Sequence, residues 1–226
     1  MDQNYVVIVA GGKGSRMKQD LPKQFMELED RPIIMHTLEA FHSYSSELNL
    51  ILILPEDQME FWNLLVKKHH YMVPHKVFAG GKDRTESVRN GLKQVAGEGL
   101  VAIHDGVRPF VSSQIIHESF FQASRAGNAI AAVKSKDSLR RMKDSVSEAV
   151  PREDYYLVQT PQTFRISIVK RAYEVLNPSG VSDDATVVEK YGERINLIEG
   201  DYDNIKITTP EDVELAKLIL KRRKKK

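Results

Sequence analysis

Three cations, Lys13, Arg16 and Lys23, stand within eleven residues of one another, and the first of them sits inside a glycine cluster, Gly11-Gly12-Lys13-Gly14. Exposed backbone N–H groups in a glycine turn form a concave anion site, and nearby cations favour phosphate in it. The cluster follows a continuous apolar run, Val6-Val7-Ile8-Val9-Ala10, which reads as a strand buried on both faces. Strand, glycine loop and cations together point to a nucleotide-phosphate site. Two familiar phosphate motifs are excluded. No Gly-x-x-x-x-Gly-Lys-Ser/Thr spacing occurs, and Gly12-x-Gly14 is followed by Met17 where a dinucleotide fingerprint needs its third glycine, which disfavours hydride chemistry. The competing reading of this stretch alone is a tight strand-to-helix turn with solvated cations.

Further polar clusters follow other apolar runs. Gly80-Gly81 with Arg84 and Ser87 could enclose a base through backbone groups and a hydroxyl, or Ser87 could be an ordinary polar position on a helix. Asp105, at the end of a strand and before Gly106, can hold Mg²⁺ between nucleotide phosphates, the alternative being an Asx-type turn residue. Asp203 is a weaker second carboxylate. His69, His70 and His75 lack a carboxylate or cysteine partner at useful spacing and are expected at the surface.

These clusters need a scaffold, and the hydrophobic pattern supplies one. Apolar runs at 48–54, 100–104 and 129–133 read as strands, and helical spacing at 32–43, 56–70, 84–96 and 113–126 alternates with them. Such alternation predicts an α/β fold with a mostly parallel sheet and helices on both faces. In such sheets ligands bind beyond the carboxyl ends of the strands, where the polar clusters fall. The rhythm breaks at about 134–154, a charged, Ser-rich stretch expected to form a projecting β-hairpin arm of the kind that packs on a second subunit. A strand at 155–159, helices at 165–176 and after 182–184, and strands at 195–198 and 204–207 follow. Thr209-Pro210-Glu211-Asp212 then opens a final helix with a cap, an N1 proline and early acids.

Composition sets the outer limits. The chain has 226 residues and no cysteine, which excludes disulfides, thiolate metal sites and cysteine nucleophiles and suits a reducing compartment. No apolar stretch is long enough to span a membrane, and Met1-Asp2-Gln3-Asn4 is not the start of a signal peptide, so a cytoplasmic protein is expected. Residues 221–226 carry six positive charges while the whole chain nets only +2, leaving the body at −4. A basic body that would grip nucleic acid is therefore absent, and the tail is expected to be a solubilising end.

The motifs, taken in order, resemble those of the 2-C-methyl-D-erythritol 4-phosphate cytidylyltransferases. The matching residues are Gly11-Gly12-Lys13-Gly14-Ser15-Arg16-Met17, Pro22-Lys23-Gln24-Phe25, Gly80-Gly81-x-x-Arg84-x-x-Ser87-Val88, His104-Asp105-x-x-Arg108-Pro109, Thr160-Pro161-Gln162 and Asn204-Ile205-Lys206-Ile207-Thr208. The similarity runs over residues 6–220 and extends, with variations, to the ribitol 5-phosphate cytidylyltransferases. It implies a single Rossmann-like nucleotidyltransferase domain over 1–220, a dimerisation arm, Mg²⁺ as cofactor, and transfer of CMP from CTP to methylerythritol phosphate with release of pyrophosphate, in non-mevalonate isoprenoid synthesis. It also implies roles. Arg16 and Lys23 would stabilise the transition state, while Ala10, Gly11, Gly12 and Gly14 wrap the triphosphate. Gly81, Arg84 and Ser87 would meet the cytosine side, and Asp105 the metal. Arg108, Lys206 and Thr160, with Ser182 of the Ser182-Asp183-Asp184 segment, would position the polyol phosphate; Arg152 and Ser138 would do so across a homodimer. Three positions depart from the family pattern: Lys82 where an acid is frequent, and Ser138 and Ser182 where threonine is familiar. A nucleotidyltransferase using another NTP, or a nucleotide-binding module without turnover, are the competing classes; retention of Arg16, Lys23, Asp105 and Lys206 together weighs against the second.

Overall fold

The computed structural model describes residues 3–11 and 21–224. Its frame is a seven-stranded sheet. In chain order the strands of that sheet are β1 (Tyr5–Val9), β4 (Asn49–Leu54), β5 (Lys76–Ala79), β6 (Leu100–Asp105), β7 (Asn128–Lys134), β10 (Tyr156–Arg165) and β11 (Leu197–Glu199). Two small hairpins stand apart: β2 (Glu27–Leu28) with β3 (Arg31–Pro32), and β8 (Leu139–Lys143) with β9 (Val146–Val150). The sheet order is β11-β7-β10-β6-β1-β4-β5. β1 pairs in parallel with both β4 and β6, and β10 runs antiparallel between β6 and β7.

Strand alternation explains how the sheet is covered. Every residue of β1 is buried, as expected of a strand with helices on both faces. Val6 and Ile8 face one core, shared with α1 (Ile33–Tyr44), α2 (Met59–Lys68) and α4 (Ser113–Ala126). Tyr5, Val7 and Val9 face the other, shared with α3 (Arg84–Lys93), α5 (Ile166–Leu176) and α6 (Asp184–Lys190). A third cluster packs Leu28, Val107, Phe110 and Ile207 against Val213, Ala216 and Ile219 of α7 (Pro210–Arg223).

Local chemistry sets the helix starts. Asp83, Ser112 and Asp183 accept N-cap hydrogen bonds at α3, α4 and α6. Thr209 and Asp212 form a reciprocal capping box at α7, with Pro210 in its first turn. The expected polar excursion is the β8–β9 hairpin, closed by Asp144 and Ser145, both at positive φ. That backbone matches a two-residue turn of the primed type, which fits the right-handed strand twist.

Three expectations change. Residues 204–207 form no strand; the segment is fastened by two backbone bonds, Asn204 N–H to Asp201 C=O and Ile207 N–H to Val107 C=O, each at 2.9 Å, and by its side chains. The strand expected to end at Gln159 continues through Thr160-Pro161-Gln162 as the second half of β10. His69 and His75 are half-buried rather than superficial, while His70 is exposed; His75 Nε2 accepts the Trp62 indole N–H at 3.1 Å.

Candidate active site

Adjacent strands bring distant motifs to one place. Val9 and Asp105 are register partners at the carboxyl ends of β1 and β6. The backbone stays tied beyond the strands: Gly106 N–H donates to Val9 C=O, Ala10 N–H to Ile53 C=O and Gly80 N–H to Leu54 C=O. Glycine is needed here because the loops press together. A Cβ on Gly80 would lie 2.8 Å from Ser87 Oγ, and one on Gly106 would lie 2.8 Å from the Ala10 methyl.

Ser87 organises the second loop. Its buried hydroxyl donates to Asp83 C=O at 2.8 Å and accepts from Gly81 N–H at 3.0 Å. Glu86 accepts from Lys82 N–H at 2.9 Å, so a side chain at Gly81 would collide with it. Gly11 approaches the same serine: a Cβ there would sit 3.3 Å from Ser87 Oγ. The first and second glycine loops thus meet at one hydroxyl.

Asp105 is the electrostatic centre. Lys206 Nζ lies 3.1 Å and Arg108 Nε 3.2 Å from its Oδ2, and Arg84 Nε lies 3.5 Å from its Oδ1. Burial alone would raise the carboxyl pKa, but Lys206, Arg84 and Arg108 outweigh it and hold the group well below the usual carboxylate range. Arg84 continues to a second, fully buried carboxylate, Asp184, with bonds of 2.7 and 3.2 Å, and Tyr173 Oη donates to Asp184 Oδ1 at 2.5 Å. Burial disfavours charge on Arg84, yet Asp184 and Asp105 raise its pKa and keep it a cation. Gln162 Oε1 accepts the N–H groups of Asp184 and Ala185, fixing the start of α6.

Behind Asp105 lies a polar chain inside the sheet. Asp105 N–H donates to Thr160 Oγ1 at 3.1 Å, Thr160 Oγ1 lies 3.0 Å from His104 Nδ1, and His104 Nε2 lies 3.0 Å from Arg108 C=O. Burial lowers the His104 pKa to about 4. Arg108 Nη1 also donates to Asn204 C=O at 2.8 Å, which ties the turn after β6 to the segment carrying Lys206.

The structure therefore gathers Ala10, Gly11, Lys23, Arg84, Asp105 and Lys206 on one cleft, with Gln24 beside them. Arg108 and Thr160 join through Asp105, and Gly81 and Ser87 through the glycine loops. The cleft is rich in cations and suits a polyphosphate. Gly12, Gly14 and Arg16 lie outside the described residues. Ser138 and Arg152 are exposed at the arm; Arg152 donates to Lys136 C=O at 3.0 Å. Ser182 is exposed and bonds Asp183, and Asp203 is paired with Arg222 of α7. Among the described residues no group of three or more His, Cys, Asp or Glu side chains could hold a metal unaided.

Sequence reasoning gave no role to His104, Tyr173 or Gln24 and assigned the Asp184 segment to the substrate side. A histidine within the apolar run Leu100-Val101-Ala102-Ile103 was the one available signal for a polar group inside the sheet. Among the described residues no helix is long and apolar enough to cross a membrane.

Comparison with known proteins covers nearly the whole chain. The sequence profile described as IspD, 2-C-methyl-D-erythritol 4-phosphate cytidylyltransferase, matches residues 4–222. A protein of that name from Bacteroides thetaiotaomicron is 46% identical over 215 residues, 95% of this chain and 98% of its own. The crystal structure of a 4-diphosphocytidyl-2C-methyl-D-erythritol synthase from Anaerococcus prevotii superposes with a TM-score of 0.84 at 29% identity, covering 97% of this chain and 99% of that one. A 2-C-methyl-D-erythritol 4-phosphate cytidylyltransferase from Thermus thermophilus gives 0.79 at 28% identity, covering 98% and 100%.

Proposed function

The chain belongs to the 2-C-methyl-D-erythritol 4-phosphate cytidylyltransferase family, and from that premise we propose how its residues divide the work. The reaction is transfer of CMP from CTP to methylerythritol phosphate in isoprenoid biosynthesis. An oxygen of the polyol phosphate forms a bond to the α-phosphorus of CTP, and the bond from that phosphorus to the pyrophosphate breaks. The nucleophile is already an anion, so no general base is needed to create it. The difficulty is bringing like charges together and neutralising what develops on the leaving pyrophosphate.

The observation that carries this reading is the convergence of Lys23, Arg84 and Lys206 on one cleft with Asp105, Ala10 and Gly11, with Arg108 held to the same carboxylate. Ala10, Gly11, Gly12 and Gly14 would bind the triphosphate, and Arg16 and Lys23 would act on the reacting phosphate. Gly81 and Ser87 shape the cytosine side with Arg84. Lys206 and Arg108 steer the polyol phosphate, Thr160 supports them from behind Asp105, and Ser182 closes the substrate side. Mg²⁺ takes few protein carboxylates and completes its shell with phosphates and water, which fits a cleft offering the single carboxylate of Asp105. Asp105 would hold the ion, with Asp203 a weaker second, and the ion would supply neutralisation of triphosphate charge. The domain spans 1–220. The arm at about 134–154 pairs two subunits and delivers Ser138 and Arg152 to the partner's site. The basic tail at 221–226 solubilises, and a cytoplasmic enzyme that engages neither nucleic acid nor membrane is the setting.

Pyrophosphate release from CTP, measured with each polyol phosphate, tests the substrate. Methylerythritol phosphate should be strongly preferred over ribitol 5-phosphate, and the reverse preference would overturn the assignment while leaving the chemistry intact. Tight CTP binding with no product from either would instead favour a binding module.

A further inference from the structure

We infer that His104 is a positioning residue of this site: an imidazole protonated on Nε2 that fixes Thr160 and the Arg108 turn, and through them the carboxylate of Asp105. The hydrogen-bond inventory allows one arrangement. A carbonyl oxygen can only accept, so His104 Nε2, 3.0 Å from Arg108 C=O, carries hydrogen. Thr160 Oγ1, 3.0 Å from Nδ1, also accepts the Asp105 N–H at 3.1 Å. The ring is wholly buried, and the atoms facing its two nitrogens are a carbonyl and a hydroxyl, which suit a neutral ring with its single N–H on Nε2. Nδ1 therefore accepts, and the Thr160 hydroxyl donates to it.

Three bonds then run in one sense, from Asp105 N–H through the Thr160 hydroxyl and the imidazole to Arg108 C=O. The Arg108 side chain completes the circuit by donating to Asp105 Oδ2 at 3.2 Å and to Asn204 C=O at 2.8 Å. Asp105 is thus gripped by its main chain on one side and its carboxylate on the other. Phe41 meets the imidazole edge to face, with centroids 4.8 Å apart, and fixes the ring plane. An apolar residue would fill this strand position as well as its neighbours Ala102 and Ile103 do. What a histidine adds is two opposed hydrogen bonds to groups of the site.

The inference rests on the cytidylyltransferase reading, in which Asp105 and Lys206 meet the reacting phosphates. Its first test needs no substitution. Nitrogen-resolved NMR of the ¹⁵N-histidine-labelled enzyme should show Nε2 protonated and Nδ1 bare at neutral pH; a protonated Nδ1 overturns the proposal. The second test compares three variants. His104→Asn can still offer an acceptor toward Thr160, His104→Gln a donor toward Arg108, and His104→Phe neither, while filling the ring's space. We expect His104→Phe to lower kcat on the order of 100-fold, the cost of a small misplacement of reacting groups, with the KM for CTP within about twofold. Each amide variant should recover part of that loss. Unchanged kcat in His104→Phe, or equal losses in all three variants, overturns the proposal. Should His104→Phe fail to fold, Thr160→Val cuts the same chain, and adding His104→Asn to it should cost little more; fully additive losses contradict a shared circuit. Failure of the underlying reading looks different: the parent enzyme would release no pyrophosphate with methylerythritol phosphate, whatever the tautomer.

Discussion

Lys23 sits on a short 3-10 turn between the glycine loop and β2, held by Phe25 packed beneath it on Phe61 and Trp62. Lys23 lines the cleft, and in the proposed reaction its attraction to the α-phosphate would grow as charge develops there. Lys23→Ala should therefore lower kcat by about 10²- to 10³-fold while changing CTP affinity, measured by calorimetry, by less than about fivefold. A second prediction concerns protons. His104 has its pKa lowered by burial from 6.5 to about 4. Between those values the unfolded chain binds a proton that the folded chain refuses, so stability falls as pH falls through this window. The full shift corresponds to about 3 kcal/mol. His36 and His75, also lowered by burial, act in the same direction. Urea midpoints should drop between pH 7.5 and pH 5, and His104→Asn should drop less than the parent. At this scale the strand ends pointed to Gly11, Gly81, Arg84, Asp105 and Arg108, which the fold brings together, whereas Ser138, Arg152, Ser182 and Asp203 stand apart from the cleft. The sequence did not reveal who holds whom: Arg84 and Asp184 stand a hundred positions apart, and no local pattern encodes that pairing.

The elements carry the same lesson in another form. Strands β1, β4 and β6 are continuous apolar runs because helices cover both faces, and such runs are readable without any alignment. β10 was half-hidden because Thr160-Pro161-Gln162 looks like a loop, yet its side chains are buried and bonded to β6, α6 and β10's own turn. The alternation in Asn204-Ile205-Lys206-Ile207 resembles a strand but serves to bury Asn204 and Ile207 while leaving Lys206 to reach Asp105. Helix α6 starts with Asp184, whose carboxylate is buried and shared by Arg84 and Tyr173. Asp184→Asn removes one charge of a buried pair and should cost about 3 kcal/mol in a denaturation curve. It should also raise the KM for CTP, because α3 then loses the anchor of Arg84.

On the scale of the whole molecule, the exposed apolar residues are unevenly placed. Met142 and Val146 on the arm are 65% and 70% exposed, and Tyr155, Tyr156, Leu157 and Val158 form a continuous exposed run at its root. Such a patch fits a second copy of the chain. Sedimentation should show a homodimer, and Leu157→Asp should give monomers with a raised KM for methylerythritol phosphate and unchanged CTP affinity. That split is expected if, as proposed above, Ser138 and Arg152 act in the partner's site while Gly11, Gly80 and Gly81 bind CTP within one subunit. The strand order has a consequence for how such a molecule is made. Within the sheet β7 has β10 and β11 as its neighbours, and both follow it in the chain. A ribosome therefore releases β1, β4, β5 and β6 as a parallel platform while β7 has nowhere to dock, and the flank of β6 that bears Asp105 stays open. In order of synthesis Gly11, Gly81 and Asp105 come first, Thr160 follows with β10, and Lys206, which pairs with Asp105, comes last.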